Sequence, residues 1–156
     1  MHVEKMITAM DSDKMIGILG TLKPAFEVKH HTKNISTKKV IDLTPKGYTK
    51  ERELSFFCAG RSFEETAKKI IKANGGGIEH IKAMPNAIVT CCVLVRNSAI
   101  ELNGYLADSR FKIFGSEDID LSWSIGKLGY KCTILKNVYV HHFRHKSITI
   151  SNLNNL

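Results

Sequence analysis

A chain of 156 residues, 43% hydrophobic and 24% charged, has the size of one domain and buries about 70% of the surface its unfolded form exposes, which excludes a wholly disordered protein. No apolar run approaches the ~20 residues that span a bilayer, and the opening MHVEKMITAMDSDKM carries acids and lacks an unbroken apolar core; a transmembrane segment and a signal peptide are not expected, and the chain reads as cytoplasmic or at most peripheral to a membrane. The net charge of +8 sets up a field that draws anions, whether nucleic acid, an acidic membrane surface or a nucleotide-sugar with a phosphorylated acceptor.

Val3, Met6, Ile7 and Met10 fall at helical spacing and predict a short helix over 3–10, and the run MIGIL, Met15 to Leu19, reads as a buried strand that Gly20 ends. From Thr21 to Lys50 the chain turns polar and irregular around Pro24, Pro45 and Gly47, with a short strand at Val40 to Leu43. Thr49 to Ala73 regains helical character, interrupted near Gly60. It restarts at Ser62, whose partner Glu65 completes a capping-box pattern, and Ala67, Ile70 and Ile71 supply the apolar face. Gly75, Gly76 and Gly77 stop that helix. They follow a helix rather than a strand and lack the Gly-Lys-Ser/Thr of a phosphate-binding loop, so they read as a C-cap and flexible turn.

Ala87 to Val95, AIVTCCVLV, is apolar on both faces and predicts the central strand of a sheet. Asn97 is placed to cap a helix over Ser98 to Leu102 that Gly104 terminates. In the run Gly115-Ser116-Glu117-Asp118-Ile119-Asp120-Leu121, Ser116 is an N-cap candidate, and Leu121, Ile125 and Leu128 share one face of a helix closed by Gly129. Three acids in its first turn suit the positive end of the helix dipole, which accounts for them without any function. YKCTIL and VYVHHF then read as strands. The stretch from Val138 to Ser147 brings His141, His142, Arg144, His145 and Lys146 to a strand end, where neighbouring residues face opposite sides, so His141 and His142 cannot both enter one site.

Two further counts narrow the partners. Cys58, Cys91, Cys92 and Cys132 contain no C-x-x-C pair and sit in apolar surroundings, the pattern of buried free thiols in a reducing compartment rather than of a zinc site. The lysines are dispersed in pairs, with no aromatic ladder to stack bases, so dedicated nucleic-acid binding is not expected.

The Gly104-Tyr105 step, the aromatic-rich turn after it, GSEDIDL, Gly129-Tyr130-Lys131 and the strand running into His141-His142 resemble the C-terminal, acceptor-side half of a family 2 glycosyltransferase of the GT-A fold. The last third of the chain carries the resemblance well and the first two thirds only loosely. The resemblance implies an α/β domain, a mixed sheet with flanking helices, spanning 1–150 and followed by a tail, SNLNNL, at 151–156. It also implies inverting transfer of a sugar from a nucleotide-diphosphate donor to a hydroxyl acceptor. By position Asp118 takes the role of base, since a carboxylate can accept the hydroxyl proton during a single displacement. Glu117 orients the acceptor or Asp118, and Asp120, nearly opposite on the helix, is a solvated or packing residue. His142, by its spacing to Ser147, completes the coordination of a manganese or magnesium ion, with His141 as the alternative; a core hydrogen bond is an equal reading of either. Arg144 and Lys146 would neutralise leaving-group phosphate, or else lie in a basic surface loop.

Asp11-Ser12-Asp13 resembles an Asp-x-Asp metal motif but stands between a helix and MIGIL, which makes both acids turn residues. The donor-binding half is therefore expected to be missing, the chain to be inactive alone, and an exposed sheet edge to pair in a homodimer or with a complementary half. The reading from a different class is a non-catalytic, basic binding or assembly module that takes polyanions.

Overall fold

Residues 2–22, 54–55, 57–83, 86–88, 90–110 and 117–142 are described in the structure, a computed structural model. The chain divides into two compact units, Met1–Leu22 with Gly76–Val140 and Lys23–Gly75 with His141–Leu156. The expected strand at Val40 to Leu43, the N-cap Ser116, the basic residues Arg144 and Lys146 and the tail at 151–156 lie outside the described residues.

The first unit is an α/β layer built on a four-stranded mixed sheet. In chain order its elements are α1 (His2–Ser12), β1 (Ile16–Leu22), β2 (Ile78–Ile81), β3 (Val93–Val95), α3 (Asn97–Asn103), α4 (Glu117–Lys127) and β4 (Lys131–Tyr139), while α2 (Phe63–Ala73) belongs to the second unit. The strand order is β2-β4-β1-β3, with β1 and β4 parallel at the centre and β2 and β3 antiparallel at the two edges. Met6, Ala9 and Met10 of α1, at i, i+3 and i+4, pack on Ile16, Leu19, Leu135 and Val138. Leu19 and Gly20 face opposite sides, and the Gly20 side carries Ile88 and α4, so both faces of the central pair are covered. That is why all seven residues of β1 are buried.

Three expectations are corrected and one strand is new. Gly20 does not end β1; it pairs with Val93 and Ile134, and a Cβ there would come within 2.6 Å of Ile88 Cγ2, so glycine is what lets Ile88 close on the strand. AIVTCCVLV is not the central strand: only Val93–Val95 pairs, at an edge and half-buried, and Thr90 to Cys92 form a turn that leaves Cys91 exposed. YKCTIL and the start of VYVHHF are one nine-residue strand, β4, held on both sides by β1 and β2, whereas His141 and His142 lie beyond it. β2 itself was not anticipated, because Ile78 to Ile81 carries charge and exposure on an edge rather than an apolar run.

The helix faces shift as well. Val3 and Ile7 are half-exposed, so the buried stripe of α1 runs through Ala9 instead. On α4, Leu121, Ser122 and Ile125 are buried while Leu128, beyond the helix, is exposed. Asn97 does not cap α3: Arg96 stands at the N-cap without a side-chain bond to the helix, and the Asn97 amide donates to Glu101 at 2.6 Å. Gly104 does close α3, in the left-handed conformation at φ 82°.

In the second unit α2 (Phe63–Ala73) begins where its sequence signal lies. Ser62 Oγ accepts from Glu65 N at 3.1 Å and the Glu65 carboxylate accepts from Ser62 N at 2.9 Å. The break before it is real: Ala59 and Gly60 both have positive φ, 48° and 82°. The buried positions of α2 are Thr66 and Ile70, with Ala67 and Ile71 half-buried beside them.

Gly17 is the tightest packing point of the first unit. A Cβ there would stand 2.6 Å from Ile125 Cγ2 and 2.6 Å from Tyr130 Cβ, so α4 and the turn after it rest directly on the β1 backbone. Gly17→Ala is expected to lower stability by about 1–3 kcal/mol through overpacking. Urea unfolding monitored by circular dichroism measures it, and an unchanged midpoint would mean that α4 does not rest there.

Candidate active site

The contacts of α4 fix its direction. Ile125 lies against Gly17, near the start of β1. One turn earlier, Ser122 O accepts the Cys132 thiol at 3.3 Å, and Ser122 Oγ accepts from Ile88 N at 2.9 Å, Ile88 being the residue over Gly20. Moving toward the N-terminus of α4 is therefore moving toward the carboxyl ends of β1 and β4. Asp118 lies a further turn and about 6 Å beyond Ser122 in that direction, on the same helix face.

Each neighbour of the acidic turn has an identifiable anchor. Asp118 is half-buried, and its Oδ1 accepts from Ile119 N at 2.8 Å. Glu117 is half-buried beside it. Asp120 accepts from Tyr105 Oη at 2.9 Å, so the Gly-Tyr step after α3 is clipped to the first turn of α4 and Asp120 is a packing residue. Trp123 Nε1 donates to Asn86 O at 3.1 Å, which with the Ser122 bond ties Asn86 and Ile88 across the helix. In the loop between α3 and α4, the Arg110 guanidinium pairs with the Asp108 carboxylate, holding the Asp108 carboxyl below its usual range and raising Arg110. Burial pushes the Cys132 thiol up to about 11, so it stays protonated as a donor at neutral pH.

Asp11 and Asp13 are structural. Asp11 lies in the last turn of α1 near Lys14 at 3.8 Å. Asp13 accepts from Lys131 Nζ at 2.7 Å and from Met15 N at 2.8 Å, and those two bonds hold its carboxyl below the usual range.

The remaining sequence-predicted site residues belong to the second unit. His141 is half-buried with its ring 4.7 Å from that of Phe57, and His142 is exposed. Among the described residues, no three His, Cys, Asp or Glu side chains lie close enough together to hold a metal ion. Glu117 and Asp118 are thus brought together by α4 in one unit and His141 and His142 follow one another in the other, while Arg144 and Lys146 lie outside the described residues.

Sequence reasoning missed Arg96, which ties the end of α1 and the turn after it to the start of β1. Its Nη2 donates to Met10 O at 2.5 Å and Asp13 O at 3.1 Å, and its Nε donates to Ile16 O at 2.8 Å. The available signal was a single arginine directly after an apolar run, the position from which a long side chain can reach back over its own sheet.

The described residues form an α/β protein: a four-stranded mixed sheet with helices on both faces, one of which opens on an acidic turn. Among the described residues, no helix is long and apolar enough to cross a membrane. Comparisons of the chain with protein-family models, with curated proteins and with solved structures found no match.

Proposed function

We propose that the chain carries the acceptor-side part of an inverting glycosyltransferase that moves a sugar from a nucleotide-diphosphate donor to a hydroxyl acceptor. The observation that carries this reading is the half-buried pair Glu117 and Asp118 at the start of α4, the end of that helix that runs toward the carboxyl side of the parallel pair β1 and β4, the side on which open α/β sheets bind their ligands. There the Asp118 carboxylate accepts the acceptor's hydroxyl proton while the oxygen bonds to the anomeric carbon and the sugar–diphosphate bond breaks, giving inversion in one displacement. Glu117 orients the acceptor from the same turn.

In this reading a manganese or magnesium ion, with His142 or His141 among its ligands and Arg144 and Lys146 beside the phosphates, would neutralise the leaving diphosphate. The described residues do not assemble that ion's ligands, and none of the steps above passes through it. The donor-binding part is supplied by further sequence or by a second chain.

A thermal-shift panel with UDP, GDP and CDP, each with and without manganese, and a short DNA duplex as comparator, tests the reading. The expected result is no shift with any nucleotide, because the acceptor side alone does not hold the diphosphate. Stabilisation by one nucleotide only with manganese would keep the transferase class and move the donor site onto this chain. Salt-sensitive stabilisation by DNA alone would overturn it in favour of a basic binding module, the class that the net charge of +8 also suits.

A further inference from the structure

We propose that the open side of β3, the groove beside it and the outer stripe of α1 form the surface through which two copies of this chain associate about a two-fold axis. Among the described residues β3 pairs only with β1 and is an edge strand. Arg96 N–H points inward to Gly17 O at 2.8 Å. Strand alternation then turns the N–H and C=O of Leu94 inward as well, and those of Val93 and Val95 outward. An outward row of this kind is a template for a further strand, and antiparallel pairing with its own copy is one that a two-fold axis supplies.

The side chains match. A surface groove of about 390 Å³ lies between α1 and β3, lined by Ile7, Met10, Leu94 and Val95 with Asp11 and Arg96 among its polar residues. Beside it α1 raises Val3 and Ile7, one turn apart and 54% and 48% exposed. An apolar ridge and an apolar groove thus adjoin on one surface, which is what an isologous contact needs: the ridge of each copy enters the groove of the other.

Charge selects a second copy as the occupant. The whole chain carries +8, yet α1, the turn after it, β3 and α3 together hold Lys5, Lys14 and Arg96 against Glu4, Asp11, Asp13 and Glu101. This face lacks the positive excess that drives basic chains apart, and it offers no field to draw an acidic partner.

Sedimentation velocity and light scattering on the full chain over a dilution series test the assignment without reference to the transferase reading. The expected result is a doubling of molar mass at high concentration that reverses on dilution. Ile7→Lys, which sets like charges across the axis, is expected to abolish the doubling with an unchanged melting temperature. Val95→Pro, which removes an outward N–H and leaves the inward bonds in place, is expected to do the same, and Ile7→Lys decides alone if that variant fails to fold. A monomer at every concentration overturns the proposal, as does a dimer that survives both substitutions. Slow amide exchange at Val93 and Val95 in a monomer would mean that the chain covers its own edge, and it overturns the proposal too.

Discussion

Asp118→Asn is expected to lower sugar transfer about 10²–10⁴-fold, the usual contribution of a positioned general base. The measurement is made in the catalytically complete assembly, with the donor-binding part supplied. Asparagine keeps the size of the side chain and can still accept from Ile119 N, so the helix start should hold and the melting temperature should stay within a degree or two. Asp120→Ala separates chemistry from packing. Asp120 takes the Tyr105 hydroxyl, so its substitution should cost roughly 1 kcal/mol of stability and leave turnover within a few-fold. If Asp118→Asn turns over like the parent protein, the carboxylate is only a residue suited to a helix N-terminus, and the transferase reading loses its base.

The second large effect is on folding. Arg96→Ala removes three charge-assisted hydrogen bonds, to Met10 O, Asp13 O and Ile16 O, in a part-buried site. Met10 O belongs to the last turn of α1, whose carbonyls have no partners within the helix, and a cation there also complements the helix dipole. A hydrogen bond to a charged group contributes about 1.5–3 kcal/mol, and three on one head group are not additive, so a loss of about 3–5 kcal/mol is expected. Arg96→Lys should recover only part of it, because an ammonium cannot reproduce the planar fork that reaches a helix end and a strand start together. A chemical denaturation midpoint close to that of the parent protein in Arg96→Ala would show that solvent replaces the guanidinium at little cost.

Both effects rest on features of different legibility. The acidic turn was readable because a helix start is a local event: acids, a following apolar stripe at 3.6 spacing and a closing glycine all lie within one short run, and α4 spans Glu117–Lys127 accordingly. The capping box at Ser62 was readable for the same reason, since donor and acceptor are three residues apart. Arg96 was not, because its partners lie 80 to 86 residues away in sequence and only the β1–β3 pairing brings them near.

The sheet was misread by the same logic. AIVTCCVLV has the composition of a central strand, but whether an apolar run is central depends on how many neighbours it finds, and β3 finds only β1 among the described strands. β4 carries lysines and an asparagine, Lys131, Lys136 and Asn137, and nevertheless runs through the middle, because their heads can be satisfied at specific places. Lys131 reaches Asp13 and Lys136 lies 3.4 Å from Glu79, while Asn137 Oδ1 accepts from Gly77 N. Hydropathy does not register such partners.

By itself the sequence determined the presence of the helices, the capping box at Ser62, the break near Gly60, the close of α3 at Gly104, the α/β class, and two adjacent carboxylates at a helix start, all of which follow from contacts within a few residues. Only the tertiary structure decided which strands are central, that glycines at 17 and 20 admit α4 and Ile88 to the sheet, and that the acidic start of α4 runs toward the carboxyl side of β1 and β4. Those are pairings between distant segments, chosen by which apolar faces can close on one another and by which backbone groups must find a partner once water is excluded.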